Sequence, residues 1–212
     1  MSTVMSPSVP QPTGRTGTTD LMSRTRHTCA MMLRVTPDVP EAGRSGGAPW
    51  VRVGVGVDVH RLVEGRELWV GGLLWPDQEV GLEGHSDGDV VAHAACDAVL
   101  GAAGLPDLGH HFPSADPRWE GVSSIDLCAR VAELVGASGW APVNLDVAVL
   151  CDRPRLGHLT ATMAANLAAA LGLEPARVRV TAKATDGLGF SGRGEGIAAS
   201  AVCLAAEQPV RG

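Results

Sequence analysis

Apolar and polar positions begin to alternate at Val51. Val51, Val53, Val55 and Val57 are separated by Arg52, Gly54 and Gly56, a period of two that predicts a β-strand. Residues 67–75 read as a second strand region, bent at Gly71-Gly72. Ser86-Asp87-Gly88-Asp89 offers N-cap side chains, and the alanine-rich stretch after it predicts a helix reaching about Ala103. Ser123 or Ser124 is placed to cap another helix that ends near Val135. Val143, Leu145, Val147 and Val149 alternate again as a strand, and 159–171 reads as a helix closed by Gly172. Val178 and Val180 open a further strand, followed by a glycine-rich loop over 187–196. The apolar stretch 197–206 has no period that separates helix from strand. Strands alternate with helices and no repeat is visible, so the pattern predicts an α/β or α+β class.

Residues 1–49 lack this order. They are rich in Ser, Thr, Pro, Gly and Arg, and are expected to be a mobile extension or a mistaken translation start, with 50–212 as the folded domain. A targeting peptide is the alternative, since the segment is poor in acids and carries Arg24, Arg26 and Arg34. No apolar run approaches the roughly 20 residues that cross a bilayer, so no membrane is expected and the cytoplasm is the default compartment. The net charge of −6 argues against nucleic acid as a partner. A phosphate-rich substrate would therefore need local cations. The five cysteines are scattered without Cys-x-x-Cys spacing, which fits buried thiols in a reducing compartment.

Chemistry enters at the end of the first strand. Asp58 and His60 are two apart, so both side chains point to one face. The segment His85-Ser86-Asp87-Gly88-Asp89 then leads into a helix carrying His93 and Asp97. Asp89, His93 and Asp97 recur every four residues on one face of an otherwise apolar helix. Ionised groups in a buried helix need partners, and a metal is one. Asp58, His60 and His93 supply three ligands of N and O type, and three protein ligands with one open position are the catalytic zinc arrangement. Asp89 or Asp97 is expected to hold the second ring nitrogen of His93. A buried His–Asp hydrogen-bond network without metal is the competing reading.

The runs Gly-Val-Asp-Val-His (56–60), His-Ser-Asp-Gly-Asp-Val-Val-Ala-His (85–93) and Leu-Gly-Phe-Ser-Gly-Arg-Gly-Glu-Gly (188–196) stand in that order. Together they resemble the 2-C-methyl-D-erythritol 2,4-cyclodiphosphate synthase family over residues 51 to about 207. The resemblance implies an α+β fold, a two-layer sandwich with a mixed sheet packed on helices. It implies a homotrimer with its sheets toward the three-fold axis and active sites at subunit interfaces. The implied reaction is cyclisation of a cytidine-diphosphate-linked methylerythritol phosphate with release of CMP. By the same resemblance Asp58, His60 and His93 hold Zn2+, and Asp186 binds a second divalent cation, Mg2+ or Mn2+, with the substrate diphosphate. His85 and Ser86 take the erythritol phosphate end, while Asp107, Leu108, Gly109, Phe112 and Asp116 line the erythritol pocket. Arg155 lies near the cytosine, and Phe190 and Arg193 contact substrate.

Two departures from the family pattern bear on catalysis. Members usually carry Ala-Thr-Thr-Thr before the acid, whereas this chain has Ala182-Lys183-Ala184-Thr185. Ala184 cannot donate the hydrogen bond usually assigned to the middle threonine. Backbone N–H groups over 183–186 are expected to cradle phosphate instead, and Lys183 to add charge at the cytidine phosphates, so His85, Lys183, Thr185 and Asp186 are the catalytic candidates. Ser114 also replaces a common Asp. The rival readings are a zinc phosphohydrolase and a catalytically impaired trimeric homologue that binds zinc and cytidine nucleotides. Gly187-x-Gly189-x-x-Gly192 matches a dinucleotide fingerprint only formally, without the βαβ unit that it requires.

Overall fold

Strand β1 (Val51–Glu64) is the long edge against which the main helix is laid. Its valines and glycines separate onto the two faces of the sheet. Gly54 and Gly56 are buried, and a Cβ at either would run into the backbone carbonyl of Ala98 or Ala94. That absence of side chains lets helix α1 (Val90–Ala103) lie directly on the strand. Val51, Val53, Val55, Val57 and Val59 face the opposite way and are 54–64% exposed. The computed structural model describes residues 50–208, and the expected extension 1–49 lies outside the described residues.

Downstream of β1, strands β2 (Trp69–Val70) and β3 (Leu73–Leu74) form a small antiparallel hairpin. Gly71 and Gly72 form its turn with φ of 63° and 70°, the left-handed pair that a tight two-residue hairpin needs. Strand β4 (Val80–Leu82) returns to pair with the end of β1. Helix α1 starts at its N-cap Asp89 and stops at Gly104, whose φ is 76°. Helices α2 (Leu108–His111) and α3 (Ser124–Ala137), strand β5 (Trp140–Leu150) and helix α4 (Thr160–Leu171) follow, then strand β6 (Val178–Lys183), the single turn α5 (Gly189–Gly192) and strand β7 (Gly196–Glu207).

The five-stranded sheet runs β4-β1-β7-β5-β6, parallel only between β5 and β6. The ambiguous stretch 197–206 thus becomes the central strand. It is built of small residues, and Ile197, Ala198 and Ala199 are buried in succession, so no alternation survives at its start. Helices α1, α3 and α4 pack together on one face, and the core consists almost wholly of Ala, Val and Leu from these helices and the inward side of the strands. Among the described residues no helix is long and apolar enough to cross a membrane.

Candidate metal centre and active site

Asp58 and His60 emerge from the second half of β1 on the helix side, and His93 meets them from the first turns of α1. Asp58 Oδ2 lies 2.8 Å from His60 Nε2 and 3.1 Å from His93 Nδ1, and the two ring nitrogens are 3.2 Å apart. These three atoms form a nearly equilateral triangle. Its edges match the roughly 3.3 Å that separates ligands around a tetrahedral ion with bonds of about 2.0–2.1 Å. Three converging donors of N and O type therefore fit a divalent metal.

Electrostatics agree with that geometry. Burial opposes ionisation of Asp58, yet hydrogen bonds and charge from His60 and His93 outweigh it and hold its carboxyl far below the usual carboxylate range. Burial pushes His60 down, but the hydrogen bond and charge of Asp58 raise it above its ordinary value. The His60 Nδ1–H donates to the backbone carbonyl of Glu83, which leaves Nε2 with its lone pair toward the cluster.

The second nitrogen of His93 meets two serines. Nε2 lies 2.9 Å from Ser124 Oγ and 3.0 Å from Ser86 Oγ. This corrects the expectation that Asp89 or Asp97 holds it. Asp89 is the helix cap: Oδ1 accepts the N–H groups of Val91, Ala92 and Gly71, and Oδ2 accepts that of Gly72 at 2.6 Å. Its carboxylate ties the β2–β3 turn to α1 and has no reach left for His93. Asp97 accepts the Leu108 N–H at 2.8 Å and fastens α2 to α1. The four-residue spacing predicted a common face, but an N-cap residue turns back onto its own helix end. Ser124 and its partner Asp87 were missed because their link to His93 spans separate elements.

A cavity of about 110 Å³ adjoins the centre, lined by His85, Ser86, His93, Leu108, Gly109 and Phe112, with Ser114 at its edge. Asp107 lies just outside as the cap of α2, accepting the His110 N–H at 2.9 Å. Asp116 faces solvent and is engaged by Arg118 at 2.6 Å. A second, larger cleft of about 940 Å³ opens at the ends of β5 and β6. Arg155, Lys183, Ala184, Asp186 and Arg193 all line it, as do Arg153 and Asp152. Phe190 sits half-buried in α5, beside this cleft in the chain.

Asp152 organises the loop that carries Asp186. Its carboxylate accepts the Thr185 N–H at 2.9 Å, the Gly187 N–H at 3.3 Å and the Ser191 hydroxyl at 3.3 Å. The Thr185 hydroxyl lies 2.5 Å from it and 2.7 Å from the Leu188 carbonyl. Hydrogen bonds from Thr185 hold Asp152 below the usual carboxylate range. Thr185 is thus committed to the loop scaffold, and its N–H is withdrawn from the phosphate cradle expected over 183–186. Asp186 has φ of 54°, a left-handed conformation that Asp tolerates better than most residues. Nothing in the sequence around Asp152 signals this role, since its partners lie 33–39 residues away.

Residues 51–206 match the model of the YgbB family. The chain is 51% identical over 154 residues to the 2-C-methyl-D-erythritol 2,4-cyclodiphosphate synthase of Symbiobacterium thermophilum, covering 73% of this chain and 98% of that protein. It is 53% identical over 156 residues to the synthase of the same name from Rubrobacter xylanophilus, covering 72% and 93%. A solved 2C-methyl-D-erythritol-2,4-cyclodiphosphate synthase in a CDP-bound form superposes with a TM-score of 0.65 at 39% identity, covering 73% of this chain and 99% of that one. With a family match across the folded part and half-identical relatives aligned nearly end to end, the chain belongs to the YgbB family, that of the 2-C-methyl-D-erythritol 2,4-cyclodiphosphate synthases.

Proposed function

We propose that the protein converts 4-diphosphocytidyl-2-C-methyl-D-erythritol 2-phosphate to 2-C-methyl-D-erythritol 2,4-cyclodiphosphate and CMP, a step of non-mevalonate isoprenoid precursor biosynthesis. The observation that carries this reading is the triangle of Asp58, His60 and His93 beside the small cavity that His93 lines, in a chain half-identical to the synthases. An oxygen of the 2-phosphate bonds to the β-phosphorus, and the bond from that phosphorus to the bridging oxygen breaks. CMP leaves with the electron pair, and no water is consumed. Both reacting groups are anionic, so the obstacle is like-charge repulsion.

Asp58, His60 and His93 would hold Zn2+, and Asp186 a second divalent ion, Mg2+ or Mn2+. Bound there, these ions supply positive charge to the diphosphate oxygens. The chain's own residues do the rest. Lys183, Arg155 and Arg193 line the large cleft and offset the nucleotide's charge. Leu108 and Phe112 give the small cavity apolar walls for the methylerythritol carbons, and Ser86 presents a hydroxyl at its inner end. Joining nucleophile and electrophile in one substrate makes the attack intramolecular, which lowers the barrier by up to about 7–11 kcal/mol when the geometry is held.

Two features support a homotrimer with shared sites. The exposed valine row of β1 makes an apolar strip on the sheet face opposite the helices, flanked by Val202 of β7 opposite Val55, with Leu150 of β5 on the same face one strand beyond Ala198. In addition, Val59, Ala198, Leu150 and Lys183 stand in one row across four strands. Three strand spacings of about 4.8 Å put the metal centre and the cleft of one chain some 14 Å apart. That separation is long for both to grip one diphosphate, which favours a cleft contributed by a neighbouring copy at each metal centre.

Ala184, exposed in the cleft where the family has threonine, favours one alternative: an impaired homologue that binds CDP without turnover. Phosphorus NMR of the protein with the cytidyl substrate, zinc and magnesium separates the two. Formation of CMP and a cyclic diphosphate, abolished by a zinc chelator, is the expected result. Unchanged substrate in the presence of folded, zinc-loaded protein would establish the impaired homologue.

A further inference from the structure

His60 and His93 are oriented by different kinds of partner. His60 gives its Nδ1–H to a backbone carbonyl, which no substitution removes. His93 is held by side chains alone, the Asp58 carboxylate on one nitrogen and two serine hydroxyls on the other. Its Nδ1 faces Asp58 Oδ2 at 3.1 Å and His60 Nε2 at 3.2 Å, so the lone pair belongs there when the centre holds a metal, and the ring proton sits on Nε2. Nε2–H then needs an acceptor. Ser124 Oγ, 2.9 Å away, supplies one, because its own proton is committed to Asp87 Oδ1. Asp87 is fixed in turn: Oδ2 accepts the Ser124 N–H at 2.8 Å, and Oδ1 accepts the Asp89 N–H at 3.1 Å. Ser124 is fully buried, so no solvent molecule replaces this acceptor.

We propose that Asp87 and Ser124 are positioning residues for the metal centre: the Asp87 carboxylate orients the Ser124 hydroxyl, which sets the tautomer and ring plane of His93 and thereby its strength as a ligand. The arrangement is a carboxylate–histidine–metal relay with a serine interposed. It also assigns the neighbouring hydroxyl. Ser86 Oγ accepts the Gly88 N–H at 3.2 Å, and with Nε2 of His93 already protonated it receives nothing by donating there. Its proton goes to Ser124 Oγ, 3.3 Å away, or to a ligand oxygen in the small cavity that Ser86 lines. One serine therefore serves the metal and the other serves the substrate.

The inference rests on the metal reading of Asp58, His60 and His93, and the test separates the two. Zinc affinity is measured by chelator competition on the full chain for wild type, Ser124→Ala, Asp87→Asn and the double variant. Each is also loaded with Co2+, and its visible absorption recorded. Ser124→Ala and Asp87→Asn are each expected to weaken zinc binding by about 10- to 100-fold. Because both act through one chain, the double variant should lose no more than the worse single one. The cobalt spectrum should shift in all three. Ser124→Ala keeps its N–H for Asp87, so its metal-free melting temperature reports whether folding is intact, and this variant decides the matter if Asp87→Asn fails to fold. Wild-type zinc affinity and an unshifted cobalt spectrum in Ser124→Ala would overturn the relay while leaving the metal centre standing, and so would strictly additive losses. A wild type that takes up no zinc would overturn both.

Discussion

At the residue scale, the centre is set by which atom of each ring carries the proton. His60 binds a metal only when its Nε2 is unprotonated, and Asp58 raises the proton affinity of that nitrogen. The sign follows from this. As pH falls through the raised value of His60, a proton occupies the ligand atom and competes with the metal. Zinc affinity is therefore expected to drop by at least about tenfold per pH unit below that value, since His93 must be neutral as well, and to level off above it, as chelator competition over a pH series would show. Asp58 adds no slope in this range, because its carboxyl ionises far below it. In the metal-free protein the same pair shapes stability. The contribution of Asp58 is complete above 3.8, its ordinary value, and is lost as pH falls through the depressed one. That of His60 is complete below 6.5 and is lost as pH rises through the raised one.

At the element scale, the placement of the ligands depends on how closely α1 lies on β1. Gly54 and Gly56 make that approach possible, since a Cβ on Gly56 would overlap the Ala94 carbonyl. Gly56 is two residues from Asp58, and Ala94 adjoins His93, so the contact that seats the helix also sets the ligand spacing. Gly56→Ala is expected to lower stability by about 1–3 kcal/mol, read from denaturant unfolding, because neither backbone can give way without moving the element. Zinc affinity should fall with it, since His93 is carried on the displaced helix. The N-terminal end of α1 is secured through the β2–β3 turn, whose glycine N–H groups converge on Asp89. Burial pushes Asp89 above its ordinary carboxylate value, and these donors, with the helix N-terminus, offset only part of that push.

At the scale of the whole molecule, the sheet has one face for helices and one for something else. Five exposed valines in a single strand, joined by Val202 and Leu150, make an apolar surface that a lone soluble chain rarely keeps open. Burying one valine is worth about 1.5 kcal/mol or more, and a symmetric assembly repeats that gain in every subunit. Val55→Asp places a charge in the middle of the row, away from both α1 and the metal ligands. Light scattering with size-exclusion chromatography is expected to show this variant as smaller species than the wild type. Zinc stoichiometry should be unchanged, and turnover should collapse with the assembly if the proposed site is shared between subunits. An unaltered assembly and full activity would remove the support that this face gives to the trimer.

The sequence by itself determined most of the elements and singled out the three residues that converge as a candidate metal cluster. Period-two valines, an N-cap run before an alanine-rich helix, and a closing glycine at 172 are local signals, and the structure places a strand, helices and a left-handed cap there. Asp58, His60 and His93 were legible because a strand pair and a helix start carry metal-binding types at recognisable spacings. Tertiary structure decided what those signals leave open. Alternation in β1 does not say which face is covered, and it is the glycines that meet the helix. The period of 197–206 is silent because a central strand of small residues is covered on both sides at its start. Asp89 and Asp97 share a helical spacing with His93 yet bond elsewhere, while Ser124 reaches it across 31 residues of chain and is itself held by Asp87 across 37. Hydrogen bonds between elements depend on where backbones are brought, and that is a property of packing, which no local pattern encodes.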